Sequence, residues 1–353
     1  MYKILTLNIG STSSKVAIYE DDKEVFVKTI RHTQEDLQRF DNPSEQFEWR
    51  RDVVFAEIEA AGWNFTDFDC VCTRSGPLTP VESGTYTVNE AVVDQASDPL
   101  KCGSAPHVLG IRIADAITKQ YGVPSYFCDP VTTDELDDVA RISGMNGVPK
   151  TSGFHALNHK AVARKVAAQL GKKYEEVNLV GIHIGGGCSQ VAHRKGRCIE
   201  TASGMSMDRA GSMVQYSHVI DWAFDNFDNK RAATRAIGRR GGVFSYLGTT
   251  DFKDICERAR SGNEPEVKRI YDAFIYQHSV VAGGLAAALK FDVDAIYITG
   301  GIAYDEQVVE DIKGYIGKIA PVLVFPGEEE MKSLAENALR ILTGEAQPKE
   351  YIV

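Results

Sequence analysis

Residues 1–15 decide the fold and read Met1-Tyr-Lys-Ile-Leu-Thr-Leu-Asn-Ile-Gly-Ser-Thr-Ser-Ser-Lys15. The apolar residues up to Leu7 indicate a buried strand, and the apolar run 16–19 predicts a returning strand of a hairpin. The turn between the strands offers backbone N–H groups and hydroxyls that suit a phosphate or carboxylate, and Lys15 can add a positive charge. An ordinary hairpin with a Gly/Ser-rich loop fits this stretch equally well.

The length and composition predict a two-domain cytoplasmic protein. The chain has 353 residues, and 43% of them are hydrophobic and 25% charged, which is typical of globular proteins with a core in each domain. A formal net charge of −10 argues against a nucleic-acid-binding surface. No apolar run approaches a membrane span, so we expect no membrane partner. The seven cysteines are odd in number and scattered, which predicts reduced thiols.

Two predicted strands deliver charged side chains at their ends. After a charged, helical segment over 34–62, the strand 68–73 ends at Arg74, and the strand 125–128 ends at Asp129. The carboxyl ends of strands are where open α/β sheets place ligands. Arg74 can equally cap a surface turn. Asp129 can orient a metal or a nucleophile, or cap the next helix.

The glycine-rich stretch around 141–149 gives the best domain boundary. We therefore predict one domain formed by 1–148 with the C-terminal helix 331–353, and a second over 149–330. His155 and His159 lie four apart on the helix that follows. A zinc site there lacks a third ligand at matching spacing, so a core or substrate-contacting role is the better interpretation.

The second half of the chain repeats the opening pattern. Residues 178–189 form a predicted strand that ends in a glycine turn, and 190–199 a returning strand. A third strand, 294–302, ends in Gly300 and Gly301, where a missing Cβ lets a flat ring or ribose approach the backbone. Three strand-to-glycine turns in one chain indicate a nucleotide-binding fold far more specifically than one turn does. They predict two phosphate grips and a nucleoside grip in a duplicated architecture.

That set of turns, in that order, is the signature of the actin, sugar-kinase and Hsp70-like superfamily. The chain resembles the acetokinase family, and its butyrate kinase branch, over nearly its whole length. The matching segments include 7–15, 83–90, 129–135, 154–164, 183–187, 299–303 and 325–331. The resemblance implies an α/β fold with two duplicated actin/RNase H-like domains, each a mixed five-stranded sheet flanked by helices, and an interdomain nucleotide cleft.

The resemblance also implies an activity and a site. Such kinases transfer the γ-phosphoryl group of ATP reversibly to a short or branched-chain carboxylate, giving an acyl phosphate and ADP, and they require Mg²⁺. The implied catalytic residues are Asn8, Arg74, His155, Arg209 and Asp129. The implied nucleotide-binding residues are Gly10, Ser11, Ser13, Lys15, His183, Gly185, Gly186, Gly187, Gly300, Gly301 and Ile302. Asp129 and Glu329 would organise Mg²⁺, and a homodimer or larger homo-oligomer is expected.

Two departures from the family pattern surround the expected acyl pocket. The segment 201–211, which carries Arg209, is several residues shorter than in the family, and His107 is displaced by about two positions. These changes predict either an acyl substrate other than butyrate or a weakened activity. The competing hypothesis is a catalytically weak or inactive nucleotide-binding or regulatory homologue, because this fold also hosts proteins that are not kinases.

Overall fold

The computed structural model describes residues 1–98, 101, 105–202 and 216–352. The chain forms two compact units. Unit 1 contains Met1–Asp134, Ala156–Ala161 and Glu329–Val353, and unit 2 contains Glu135–His155 and Val162–Glu328. The C-terminal residues therefore return to unit 1. No helix in the described ranges is long and apolar enough to cross a membrane.

Unit 1 is built on a six-stranded sheet with the order β3-β2-β1-β4-β6-β5. Its strands are β1 Lys3–Ile9, β2 Ser13–Glu20, β3 Lys23–Arg31, β4 Cys70–Thr73, β5 Thr85–Thr87 and β6 Ser125–Cys128. Its helices are α1 Gln34–Gln38, α2 Phe47–Ala60, α3 Glu90–Ser97, α4 Leu109–Tyr121, the start of α5 Ala156–Gln169, and α12 Glu330–Leu342. β5 pairs antiparallel with β6 and makes the sixth strand, one more than expected.

Strand β1 is buried on both faces of this sheet. Leu5 and Leu7 belong to a core cluster that also contains residues of α2 and α4. Ile4, on the opposite face, belongs to a cluster with residues of α12. Side chains alternate between the two faces of a strand, so the nearly continuous apolar sequence of β1 fits a central strand covered on both sides.

Unit 2 is built on a five-stranded sheet with the order β11-β10-β7-β8-β9. Its strands are β7 Asn178–Ile184, β8 Cys188–Arg194, β9 Arg197–Ala202, β10 Ala295–Gly300 and β11 Val322–Pro326. Its helices are the rest of α5, α6 Tyr216–Asn226, α7 Lys230–Arg240, α8 Gly242–Leu247, α9 Phe252–Ser261, α10 Pro265–Ala288 and α11 Glu306–Ile316.

The two sheets share one topology, which confirms the predicted duplication. In each, an antiparallel meander (β1-β2-β3 or β7-β8-β9) is followed by two parallel strands on the far side of its first strand (β4 and β6, or β10 and β11). Parallel strands end at the same edge of a sheet. Within unit 1 this places the ends of β1, β4 and β6 side by side, and within unit 2 the ends of β7, β10 and β11.

Candidate active site

The turn between β1 and β2 is the first candidate phosphate grip. The Gly10 N–H donates to the Ser13 carbonyl oxygen at 2.8 Å and closes the turn. Ser11 is exposed, and Ser13 and Lys15 are partly exposed at the start of β2. Lys15 forms no salt bridge within the described part of the chain. The turn therefore presents hydroxyls and one ammonium group to solvent, which is a surface that an anion can bind.

The parallel pairing of β1 with β4 brings Asn8 and Arg74 together around a third residue, Glu330. The Glu330 carboxylate oxygen Oε2 accepts from Asn8 Nδ2 at 2.7 Å and from Arg74 Nη1 at 3.1 Å. Glu330 is 6% exposed and is the first residue of α12, where the positive end of the helix dipole favours a carboxylate. The resulting cluster is a carboxylate, an amide and a guanidinium at the end of two strands.

The sequence prediction took Glu329, from the glutamate run 328–330, as a residue that organises Mg²⁺, and that assignment stays a prediction. The structure places Glu329 at the N-terminal boundary of α12, where its backbone N–H donates to Asn158 Oδ1 at 2.9 Å. The carboxylate that contacts Asn8 and Arg74 is that of Glu330. Sequence reasoning missed this residue because three consecutive glutamates give no indication of which one turns inward.

Asp129 follows β6 directly and is held in an unusual conformation. Its φ is 40°, a left-handed value that is strained for a residue with a Cβ and is often found at functional sites. Its Oδ1 accepts from Ser83 Oγ at 2.6 Å and from the Gly84 N–H at 3.0 Å, and the residue is 4% exposed. Both hydrogen bonds from described residues fall on Oδ1, so Oδ2 remains for another partner.

The end of β7 forms the second glycine turn, in unit 2. The Gly185 N–H donates to the Gly187 carbonyl oxygen at 2.9 Å. A Cβ on Gly185 would lie 3.0 Å from His183 Nε2 and 3.1 Å from Glu328 Oε1. Gly186 and Gly187 are exposed. The turn is thus glycine-rich because side chains crowd one part of it, and it leaves its backbone open to solvent.

His155 and His183 lie beside this turn with their rings stacked, the centroids 4.2 Å apart. His155 Nδ1 lies 2.7 Å from Ser189 Oγ, which also accepts from the His155 backbone N–H at 3.2 Å. The opposite edge of the His155 ring faces Gly187, since a Cβ there would lie 3.4 Å from Nε2. Ser189 therefore fixes the imidazole with Nε2 directed at the turn. The described residues contain no cluster of three metal-ligating side chains.

The end of β10 combines two glycines with different structural roles. Gly300 has a φ of 92°, and a Cβ there would lie 2.6 Å from the Ile184 carbonyl carbon. It also exchanges two backbone hydrogen bonds with Gly327, each 3.0 Å long. Protein backbone thus requires Gly300, whereas a Cβ on Gly301 would meet open space. Only Gly301, followed by the partly exposed Ile302, keeps the predicted free approach for a ring or ribose. Arg209 lies outside the described residues.

The comparisons with known proteins agree with this architecture. A model of the acetokinase family matches residues 144–320. A probable butyrate kinase of Clostridium botulinum is 41% identical over 360 residues, covering 99% of each chain. Butyrate kinase 1 of Clostridium acetobutylicum is 41% identical over 357 residues, covering 99% of this chain and 100% of the relative.

Among solved structures, Porphyromonas gingivalis acetate kinase aligns with a TM-score of 0.81 at 17% identity, covering 97% of this chain and 100% of that one. A propionate kinase from Francisella tularensis aligns with a TM-score of 0.75 at 16% identity, covering 96% of this chain and 99% of that one. These structures confirm the duplicated α/β fold, and the sequence relatives confirm the resemblance. The chain belongs to the acetokinase family.

Proposed function

We propose that the protein phosphorylates butyrate, or a short or branched carboxylate of similar size, with ATP and in a reversible reaction. An oxygen of the carboxylate attacks the γ-phosphorus, the bond from that phosphorus to the bridging oxygen breaks, and ADP leaves as an acyl phosphate forms. The observation that carries the proposal is the 41% identity to butyrate kinases over 99% of the chain. The comparisons give no support to a nucleotide-binding protein without activity.

Arg74 is the residue that we assign to the acceptor carboxylate. Its Nη1 donates to Glu330 and lies 3.5 Å from Asn8 Oδ1, and its side chain is 19% exposed. A guanidinium has five N–H donors, so the contact with Glu330 orients the group and leaves donors for a second carboxylate. We assign Asn8, beside it, to the transferred phosphoryl group, because its amide carries no negative charge that would repel the phosphate.

The reaction needs charge neutralisation more than it needs a base, because the acceptor is already ionised at neutral pH. We assign this role to His155, which Ser189 holds in place, and to Arg209. The turn 185–187 with His183 would bind nucleotide phosphates, and Gly301 with Ile302 would contact adenosine. In unit 1, Gly10, Ser11, Ser13 and Lys15 would bind phosphate oxygens.

The residues of unit 1 fit a magnesium ion. Mg²⁺ prefers carboxylate oxygens and keeps much of its water shell. Asp129 supplies a fixed, buried carboxylate whose Oδ2 makes no hydrogen bond to a described residue, and Glu329 can supply a second. When bound, the ion would neutralise phosphate charge. We also propose a homodimer or higher homo-oligomer and a cytoplasmic location, the latter supported by the six described cysteines, which are thiols rather than disulfides.

A hydroxamate assay tests the proposal. Purified protein is incubated with Mg-ATP, hydroxylamine and each carboxylate from acetate to valerate, including isobutyrate. We expect a signal that peaks at one chain length near butyrate. If no carboxylate gives acyl hydroxamate although calorimetry shows that ATP binds, the kinase function is refuted. Arg209→Ala should lower kcat by orders of magnitude with little change in ATP affinity.

A further inference from the structure

A fully buried arginine lies directly behind the first phosphate turn. Arg50, on α2, is 0% exposed, and its guanidinium donates to loop carbonyl oxygens: Nη1 to Gly10 at 2.8 Å and Nη2 to Ser11 at 3.0 Å. Nη1 also lies 3.4 Å from the Ser13 carbonyl oxygen. One side chain therefore contacts the carbonyl oxygens of three of the four residues of the turn.

Burying the charged Arg50 side chain costs the protein folding free energy. No carboxylate in the described part of the chain pairs with it, and burial alone lowers its pKa to about 10, so the group stays charged at neutral pH. A buried cation without a counter-ion destabilises a fold unless hydrogen bonds compensate. Among its other partners, the Gln46 side chain accepts from Nε at 2.9 Å and Ser14 Oγ from Nη1 at 3.4 Å, and the Trp49 ring lies 5.8 Å from the guanidinium carbon. These hydrogen bonds offset the cost of burial, and they give the carbonyl groups of the turn partners that an apolar residue could not supply.

The hydrogen bonds from Arg50 also determine where the backbone N–H groups of the turn point. In a trans peptide the C=O and N–H groups point in opposite directions. The carbonyl groups of Gly10 and Ser11 point at Arg50, so the N–H groups of Ser11 and Thr12 point away from it. Neither N–H donates to another described residue, and both residues are exposed. Two adjacent N–H groups aimed at solvent form a nest that suits an anion.

A second buried side chain supports the rest of the turn. The His32 backbone N–H donates to the Thr12 carbonyl oxygen at 2.9 Å, and His32 Nε2 lies 2.9 Å from Ser14 Oγ. The carbonyl oxygens of residues 10–13 are thus all occupied from the protein side. The turn is already arranged before a ligand arrives, which lowers the cost of ordering it on binding.

We propose that Arg50 is a positioning residue for phosphoryl transfer, which holds the turn 10–13 so that the Ser11 and Thr12 N–H groups bind phosphate oxygens of the nucleotide. This inference rests on the proposed kinase function. Arg50 does not contact the nucleotide itself, since the turn lies between them. Its buried charge also adds to the positive potential of Lys15 at the same turn.

The test compares Arg50→Lys and Arg50→Met with Arg51→Met. Arg51 is the next residue of α2, is partly exposed, and pairs with the exposed Asp52 at 2.7 Å, so it is a matched control. Calorimetry measures the affinity for ATP and for adenosine, and the hydroxamate assay measures kcat and KM. We expect Arg50→Lys to weaken ATP binding about tenfold and Arg50→Met about 100-fold, with adenosine affinity unchanged in both.

A merely structural role would give a different result. If Arg50 only stabilised the fold, Arg50→Lys would lower the melting temperature while leaving the ratio of ATP to adenosine affinity at the wild-type value, and this result would overturn the inference. Arg50→Lys keeps the charge and some of the hydrogen bonds, so it remains informative if Arg50→Met fails to fold. A wild-type protein that forms no acyl hydroxamate would instead refute the kinase function, while the ratio of ATP to adenosine affinity would still report on Arg50.

Discussion

The contact of Glu330 with Asn8 and Arg74 gives the sharpest test of the unit 1 site. Glu330→Gln keeps the length of the side chain and one carbonyl oxygen but removes the charge that holds Arg74. The Glu330 and Arg74 side chains are 7% and 19% exposed, so water screens the pair only weakly. A hydrogen bond to a charged group contributes about 1.5–3 kcal/mol. Breaking a fully buried ion pair costs more, about 3–5 kcal/mol, but Arg74 keeps some contact with water.

We therefore expect the lower range to apply to the transition state of phosphoryl transfer. A loss of about 1.5–3 kcal/mol corresponds to a fall in kcat/KM for the carboxylate of about 10- to 150-fold. ATP affinity should change by less than about threefold, because the damaged contacts hold the acceptor site. Initial rates of acyl hydroxamate formation at varied butyrate concentration give kcat/KM, and calorimetry gives the dissociation constant of ATP.

Glu336→Gln is the matched control. Glu336 lies on the same helix, and its partner at 3.8 Å is the partly exposed Lys332, so this variant should keep wild-type kinetics. The reasoning fails if Glu330→Gln retains the wild-type kcat/KM, or if it loses ATP affinity and butyrate activity to the same extent. The second outcome would mean that Glu330 supports the fold of the site as a whole.

Three further perturbations test other parts of the structure. Burial, and then the charge of Arg50, lower the pKa of His32 from 6.5 to about 4. The unfolded chain therefore binds the proton more readily than the folded one. The free energy of unfolding should fall by up to about 3 kcal/mol as the pH drops from 6.5 to 4. His32→Gln should remove this dependence in urea unfolding at several pH values. Gly300→Ala should cost at least about 2 kcal/mol of stability, whereas Gly301→Ala should leave stability unchanged and weaken adenosine binding. Asp129→Asn should raise the Mg²⁺ concentration for half-maximal activity about tenfold or more; an unchanged value would remove Asp129 from the metal site.

The sequence predicted the sheets and turns because their signals are local. An apolar run followed by glycine and hydroxyl residues indicates a strand and a turn whatever surrounds it, and this holds for both β1 and β7. It also placed Arg74 and Asp129 correctly at strand ends, because parallel strands end together. The sheet of unit 1 has one strand more than the family resemblance implied, because the short strand β5 pairs with β6 at its edge.

The side chains that sequence reasoning missed depend on tertiary contacts. Arg50 lies in the charged segment 34–62, where a solvated helix was the simplest interpretation. Pro43 begins a separate helical turn capped by Asn42, and α2 starts afresh at Phe47 with Arg50 on its buried side. Glu330 was missed for a related reason: each residue of a helix is rotated by about 100° from the last, so only the start of α12 decides which glutamate faces Asn8.

The matching strand ends of the two units carry different kinds of residue. In unit 1 the ends of the three adjacent strands carry Asn8, Arg74 and Asp129, which are polar or charged groups able to act on a carboxylate, a phosphoryl group and a cation. At the ends of the matching strands of unit 2, His183 is followed by glycines 185–187, and Gly300 and Gly327 bond to each other through their backbones. In unit 2 the exposed glycines 186 and 187 leave their backbone open to a ligand, whereas the strand ends of unit 1 carry an amide, a guanidinium and a carboxylate. From this difference we expect adenosine to bind in unit 2 and the reacting groups to lie in unit 1. We therefore predict that substitutions of Asn8, Arg74 and Asp129 affect kcat more than the affinity for adenosine.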